Sequence, residues 1–149
     1  IFPRILAKKP ELRLYIVGSH PTEQIRALSS EQVIVTGYVS DEELAEYYRI
    51  ARVGVVPLRY GAGIKGKIVE SMYFGLPTVT TPIGAEGLLG VESCLSVVPV
   101  GASEEYAAAV LRLLDEDGFW QEQSGREVEY IQENFTTARA KEILLQDFK

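Results

Sequence analysis

Short apolar runs alternate with longer amphipathic stretches along most of this chain. Leu12 to Gly18 reads LRLYIVG, Val33 to Val39 reads VIVTGYV, Val53 to Leu58 reads VGVVPL, Thr78 to Thr81 reads TVTT and Leu95 to Val100 reads LSVVPV. The runs are rich in β-branched residues with little polar alternation, as expected of strands covered on both faces. Between them the spacing predicts helices. The opening IFPRILAKKPEL looks like the end of a helix already under way, and a second helix runs to about Leu28 with Ser19-His20-Pro21 as its cap. A third starts at the capping box Ser40/Glu43 and runs through Arg52, turning Leu44, Tyr47, Tyr48 and Ala51 inward. A fourth starts near Ile64, carries the stripe Ile64, Ile68, Met72, and stops at Gly75 and Pro77. Pro82 to Gly90 reads as a glycine-rich loop. Ser103 caps a helix to about Asp117 with Tyr106, Val110 and Leu113 inward, Asp117-Gly118 is a break, and Phe119 to Asn134 is a further helix. Thr136 or Thr137 then caps a last helix reaching the terminus. Strand and helix in regular alternation imply an α/β fold: a doubly wound parallel sheet, right-handed crossovers, helices on both faces and the C-terminal helices packed alongside.

In such a sheet a ligand sits at the carboxyl ends of the strands. Four loops are expected there, Gly18 to Pro21, Gly37 to Ser40, Arg59 to Gly63 and Pro82 to Gly87, each rich in turn-forming residues. The third opens into GAGIKGKIVESMYFGLP, Gly61 to Pro77. A helix N-terminus leaves backbone N–H groups unpaired and carries partial positive charge, which suits phosphate. Gly61, Gly63 and Gly66 admit an oxyanion close to the backbone, and Lys65 and Lys67 add full charges. Glu70 lies three residues beyond Lys67 on the same helix face, where a carboxylate can accept hydrogen bonds from vicinal hydroxyls. The plain alternative is a salt-bridged surface helix.

Gly61-x-x-x-x-Gly66-Lys67 also fits most of a nucleoside-triphosphatase phosphate loop, but Ile68 stands where a hydroxyl would hold magnesium. No aspartate ends the neighbouring TVTT run. Both metal ligands that chemistry needs are therefore missing from their positions.

Composition narrows the picture further. The 149 residues suit one domain, 1–149, large enough for a core without disulfides. Cys94 is the single cysteine and reads as an inert core residue, consistent with a reducing, cytoplasmic setting. The net charge of −6 is uneven: residues 1–75 hold ten Lys/Arg against eight Asp/Glu, and residues 76–149 hold five against thirteen. The glycine loop thus lies in the basic half, while the acidic total argues against non-specific nucleic-acid binding. No run has the length of a membrane span. The start without Met suggests a fragment of a longer protein.

Taken in order, LRLYIVGSHP, VIVTGYVSDEELAEYYRIARVGVVPL and GAGIKGKIVESMYFGLPTVTTPIGAEGL resemble the C-terminal, donor-binding domain of GT-B glycosyltransferases of the family 4, group 1 type. The resemblance covers residues 11 to 90, and Lys67-x-x-Glu70 followed by Gly75-x-Pro77-x-Val79 is its most specific part. It implies a Rossmann-like domain binding a UDP-, GDP- or ADP-sugar. Glu70 matches the ribose-binding glutamate. Gly63, Ile64 and Lys65 match the loop that approaches the diphosphate and donor sugar, with Lys67 in support. Gly37, Tyr38 and Val39 match the segment beside the base, and Gly18, Ser19 and Thr81 line the same cleft. The sequence departs from the family at Ala62, where many members carry a first glutamate eight positions before Glu70. The Arg and Lys that often hold the pyrophosphate, and the acceptor domain, fall before Ile1.

The resemblance implies retention of configuration at the anomeric carbon without a metal or other cofactor, the leaving diphosphate being stabilised by the glycine loop and by Lys65 or Lys67. The acceptor, a saccharide, lipid-linked sugar or protein, enters from the missing domain, so this stretch alone binds nucleotide without turnover. His20 is the only histidine, and its place before Pro21 suits a turn or capping role better than a general base. Trp120 and Phe119 are expected to pin the C-terminal helices to the core. Two rivals share the architecture: a sugar-nucleotide epimerase, whose acid–base groups are not apparent, and a non-catalytic nucleotide-binding or interaction module, which Ala62 favours.

Overall fold

The computed structural model describes residues 1–136, which fall into two compact units, Ile1–Ile50 and the residues from Ala51 onward. The final helix expected from Thr136 or Thr137 lies outside the described residues.

The first unit runs α1 (Phe2–Leu6), β1 (Leu14–Val17), α2 (Glu23–Arg26), β2 (Val33–Gly37) and α3 (Asp41–Ile50). The strands pair in parallel, Leu14 with Val33 and Ile16 with Val35, and the register slips before Val17 meets Gly37. Both ends of the Ser40 capping box are made: Ser40 N–H donates to Glu43 Oε2 at 2.8 Å and Glu43 N–H to Ser40 Oγ at 3.2 Å. Each satisfies a donor that the first turn of α3 leaves unpaired. The cap of α2 differs from the sequence expectation. Thr22, not Ser19-His20-Pro21, is the N-cap, its Oγ1 accepting from Ile25 N–H at 3.3 Å. His20 instead takes a left-handed turn conformation, φ 53°. Tyr15 on β1 and Tyr47 on α3 pack with ring centroids 5.4 Å apart.

The second unit continues with β3 (Gly54–Val56), α4 (Gly66–Tyr73), β4 (Thr78–Thr80), α5 (Pro82–Ala85), a 3-10 turn (Val91–Ser93), β5 (Ser96–Val97), α6 (Ser103–Asp115) and α7 (Asp117–Asn134). β4 lies between β3 and β5, parallel to both and fully buried. The fold is therefore α/β with parallel strands flanked by helices, and strand pairing runs within each unit. Val56, Ile68, Met72, Leu88, Val91, Leu95 and Ile131 form the core between sheet and helices, with Cys94 among them. Burial there pushes the Cys94 thiol up to about 11, so it stays protonated.

Local chemistry explains most element ends. α4 stops in a Schellman turn: Gly75 takes φ 65°, its N–H donates to Met72 O at 3.0 Å, and Leu76 N–H donates to Ser71 O at 2.9 Å. α7 is fastened along the sheet by Gln123 Nε2 to Thr78 O at 3.0 Å and by Ser124 Oγ to Gly75 O at 2.7 Å. Trp120 Nε1 donates to Arg52 O at 2.6 Å, so this indole does pin α7, while the Phe119 ring lies 3.7 Å from the Arg112 guanidinium. Other expected boundaries move as well, α3 ending at Ile50 and not at Arg52. The break falls at Glu116, and Asp117-Gly118 is the first turn of α7. Ser103 is inside α6, whose N-cap is Ala102 without a side-chain bond. The Pro82 to Gly90 loop contains α5, whose Thr81 cap accepts from Gly84 N–H at 3.4 Å.

Candidate functional site

The glycine loop leaves the carboxyl end of β3 and enters α4 in an order dictated by its backbone. Gly61 and Gly63 take φ 137° and 71°, values that side chains with a Cβ avoid, and Lys65 is still extended as the N-cap. The helix consequently begins at Gly66 rather than near Ile64. Ile68 and Met72 are fully buried as the stripe requires, but Ile64 falls outside the helical period and is 52% exposed. Its side chain lies over Gly87, where an added Cβ would come within 2.9 Å of Ile64 Cγ1.

Lys65 is folded back into the loop. Its Nζ donates to the Gly63 carbonyl and lies 3.5 Å from Glu86 Oε2, an ion-pair distance rather than a tight hydrogen bond. The lysine side chain is only 11% exposed, its Cε 3.4 Å from the place where a Cβ on Gly61 would stand. That is ordinary van der Waals contact, so glycine at 61 is required by its φ of 137° and not by the space the lysine occupies. Lys67 and Glu70 lie on the outward face of α4 and are exposed, opposite Ile68, Ser71 and Met72. Ala62 is exposed in the loop. Gly63, Ile64, Lys65, Lys67 and Glu70 are thus one continuous exposed edge around the start of α4, with only the lysine side chain at 65 folded inward.

Thr81 does not add a free hydroxyl to this edge. It is 4% exposed, and its Oγ1 donates to Leu58 O at 2.6 Å while capping α5. Its role is to tie the turn after β4 to the strand end of β3. In the first unit, Gly18 and Gly37 meet at the carboxyl ends of β1 and β2, where Gly18 N–H donates to Gly37 O at 3.3 Å. Ser19 is exposed, Val39 half-buried, and Tyr38 projects with 82% of its surface exposed.

Glu86 is the member of the second-unit edge that sequence reasoning missed. Gly84 and Gly87 flank it. An added Cβ on Gly84 would stand 1.9 Å from Thr80 Oγ1, so α5 presses onto β4 only with glycine there. Among the described residues no group of three or more His, Cys, Asp or Glu is placed to hold a metal ion, and no helix is long and apolar enough to cross a membrane.

The sequence matches the family described as glycosyl transferases group 1 over residues 1–116. The chain belongs to this family. No curated protein sequence matches it. Among solved structures, the C-terminal domain of the glycosyl transferase group 1 protein LpcC from Francisella tularensis is similar at 16% identity, TM-score 0.74, covering 90% of this chain and 75% of that one. TarM is similar at 18% identity and TM-score 0.79, covering 96% of this chain and 30% of TarM. Sucrose-phosphate synthase from Thermosynechococcus elongatus is similar at 24% identity and TM-score 0.78, covering 99% and 41%. At these identities the likeness shows the shared fold. The chain spans less than half the length of TarM and of the synthase.

Proposed function

We propose that this group 1 domain binds the nucleoside-diphosphate sugar of a retaining, metal-independent glycosyl transfer. The observation that carries the reading is the Lys65 ammonium, folded into the glycine loop at the N-terminus of α4. It is supported by Glu70 on the exposed face one turn into the helix. Cleavage of a sugar–diphosphate bond builds negative charge on the departing phosphate. A lysine already ordered at a helix N-terminus stabilises that charge with little reorganisation. Lys67 adds a second, solvated charge, and Gly63 and Ile64 offer backbone and an apolar surface to the donor. Glu70 accepts the ribose hydroxyls. The base-reading role of Gly37, Tyr38 and Val39, with Gly18 and Ser19 beside them, rests on the family resemblance. Thr81 acts through the turn it holds. The acceptor, held by a further domain, and a cytoplasmic setting belong to the same proposal.

The test is calorimetric titration with UDP, GDP and ADP, of the parent and of Glu70→Ala. Micromolar to millimolar binding of one nucleotide is expected, since a partial cleft leaves ordering costs unrecovered, and Glu70→Ala weakens it. No binding of any of the three overturns the reading. Ala62, exposed where many relatives place a glutamate, favours a second reading: a nucleotide-binding module without transfer. Donor turnover by the full-length protein decides between them.

A further inference from the structure

Lys65 and Glu86 are unequally held. The lysine side chain is 11% exposed, the glutamate side chain 51%, and 3.5 Å separates Nζ from Oε2. The lysine Nζ also donates to the Gly63 carbonyl, whereas the half-exposed carboxylate reaches in from the solvent side. Glu86 lies between two close approaches that a Cβ would obstruct, Gly84 against Thr80 and Ile68, and Gly87 against Ile64. The second approach packs the Glu86 turn against the glycine loop next to Lys65, with the Glu86 carboxylate beside the ammonium.

We propose that Glu86 is a resident counter-anion of Lys65, a positioning residue that holds the ammonium over the glycine loop and is exchanged for the phosphates of an incoming nucleoside diphosphate. The inference rests on the reading of residues 61–70 as a diphosphate site and deepens it by naming what competes there. A diphosphate carries more charge than one carboxylate and offers several acceptor oxygens, so Lys65 transfers to it. The long, half-exposed contact to Glu86 is the one that gives way. When the nucleotide departs, the tethered carboxylate returns to the lysine, which favours release. Glu86 therefore lowers the affinity for anions while keeping Lys65 in place.

The experiment is titration of the protein with inorganic pyrophosphate and with UDP, GDP and ADP, using the parent, Glu86→Gln, Glu86→Asp, Lys65→Met and the Lys65→Met/Glu86→Gln pair. Glu86→Gln is expected to tighten pyrophosphate about two- to tenfold, the range of a partly exposed ion pair, with Glu86→Asp between it and the parent. In the Lys65→Met background the same change at Glu86 is expected to have little effect, which a general gain from lower negative charge would not reproduce. The proposal is overturned if Glu86→Gln binds pyrophosphate no better than the parent, or if the gain persists without Lys65. Pyrophosphate tightening with no nucleoside diphosphate bound leaves the counter-anion standing and removes the donor reading. Nucleotide binding unaffected by Glu86 does the reverse.

Discussion

The backbone N–H of Thr78, at the start of β4, donates to the carboxylate Oε1 of Glu127 on α7 at 2.9 Å, and the carboxyl group is fully buried. Gln123 Nε2 donates to the same oxygen at 2.8 Å, while Oε2 has no partner. Desolvation outweighs these two donors and raises the Glu127 pKa from 4.5 to about 8. The folded protein therefore retains a proton that the unfolded chain releases near pH 4.5. Stability falls as pH rises from there towards about 8 and levels off above it, a tenfold difference in proton affinity between the two states being worth about 1.4 kcal/mol. Glu127→Gln keeps an acceptor for Thr78 and removes the titration. Denaturant midpoints measured from about pH 5 to about pH 9 are expected to decline for the parent and to flatten for the variant. Parallel curves sink this account.

Tyr106 joins two neighbouring strands by one hydroxyl. Its OH accepts from Val56 N–H at 2.9 Å and donates to Val79 O, and the side chain is 2% exposed. Tyr106→Phe leaves two buried backbone groups without that partner. A loss of about 1–3 kcal/mol is expected in equilibrium unfolding. Nucleotide affinity should change little, because the hydroxyl bridges β3 and β4 rather than facing the glycine loop. A neutral substitution would mean that the strands close over the gap.

Gly84 is a packing requirement. A Cβ there would stand 1.9 Å from Thr80 Oγ1 and 3.1 Å from Ile68 Cδ1, and both neighbours are fully buried. Thr80 Oγ1 is itself engaged with Val56 O at 2.9 Å, so it cannot swing aside freely. Gly84→Ala is expected to cost about 1–3 kcal/mol and to shift α5 with the Glu86 turn that follows it. Both the melting temperature and the pyrophosphate titration should register it. Unchanged stability would show that α5 is not pressed on β4 as described.

What the sequence made legible was local. The Ser40 box, the Gly75 stop and the Ile68/Met72 stripe each depend on residues within one or two turns, and all three form. Ile64 was misplaced because Gly61 and Gly63 keep the backbone out of helical conformation until Lys65. Nothing in PIGA announces α5, which contains both proline and glycine and is held by the Thr81 cap and by contact with Thr80. The pairing of Lys65 with Glu86 joins two loops across 21 positions and has no periodic or motif signal. For the same reason Thr81 looked available in the chain, although its hydroxyl is held by Leu58.

Lys65 and Lys67 stand two positions apart and should respond differently to removal. Lys65 is ordered before any ligand arrives, with 11% of its side chain exposed, so little conformational freedom remains to be lost on binding. Lys67 is exposed on α4, and its charge acts through solvent. Lys65→Met is expected to weaken the bound nucleoside diphosphate about tenfold or more, and the loss should persist at raised salt because the site is partly shielded. Lys67→Met is expected to weaken it about two- to fivefold at low ionic strength, with the difference fading as salt rises. Titrations of both variants at low and high sodium chloride check this. Equal losses with equal salt dependence would mean that both lysines act only as diffuse surface charge, and that the folded-back geometry of Lys65 contributes nothing to recognition.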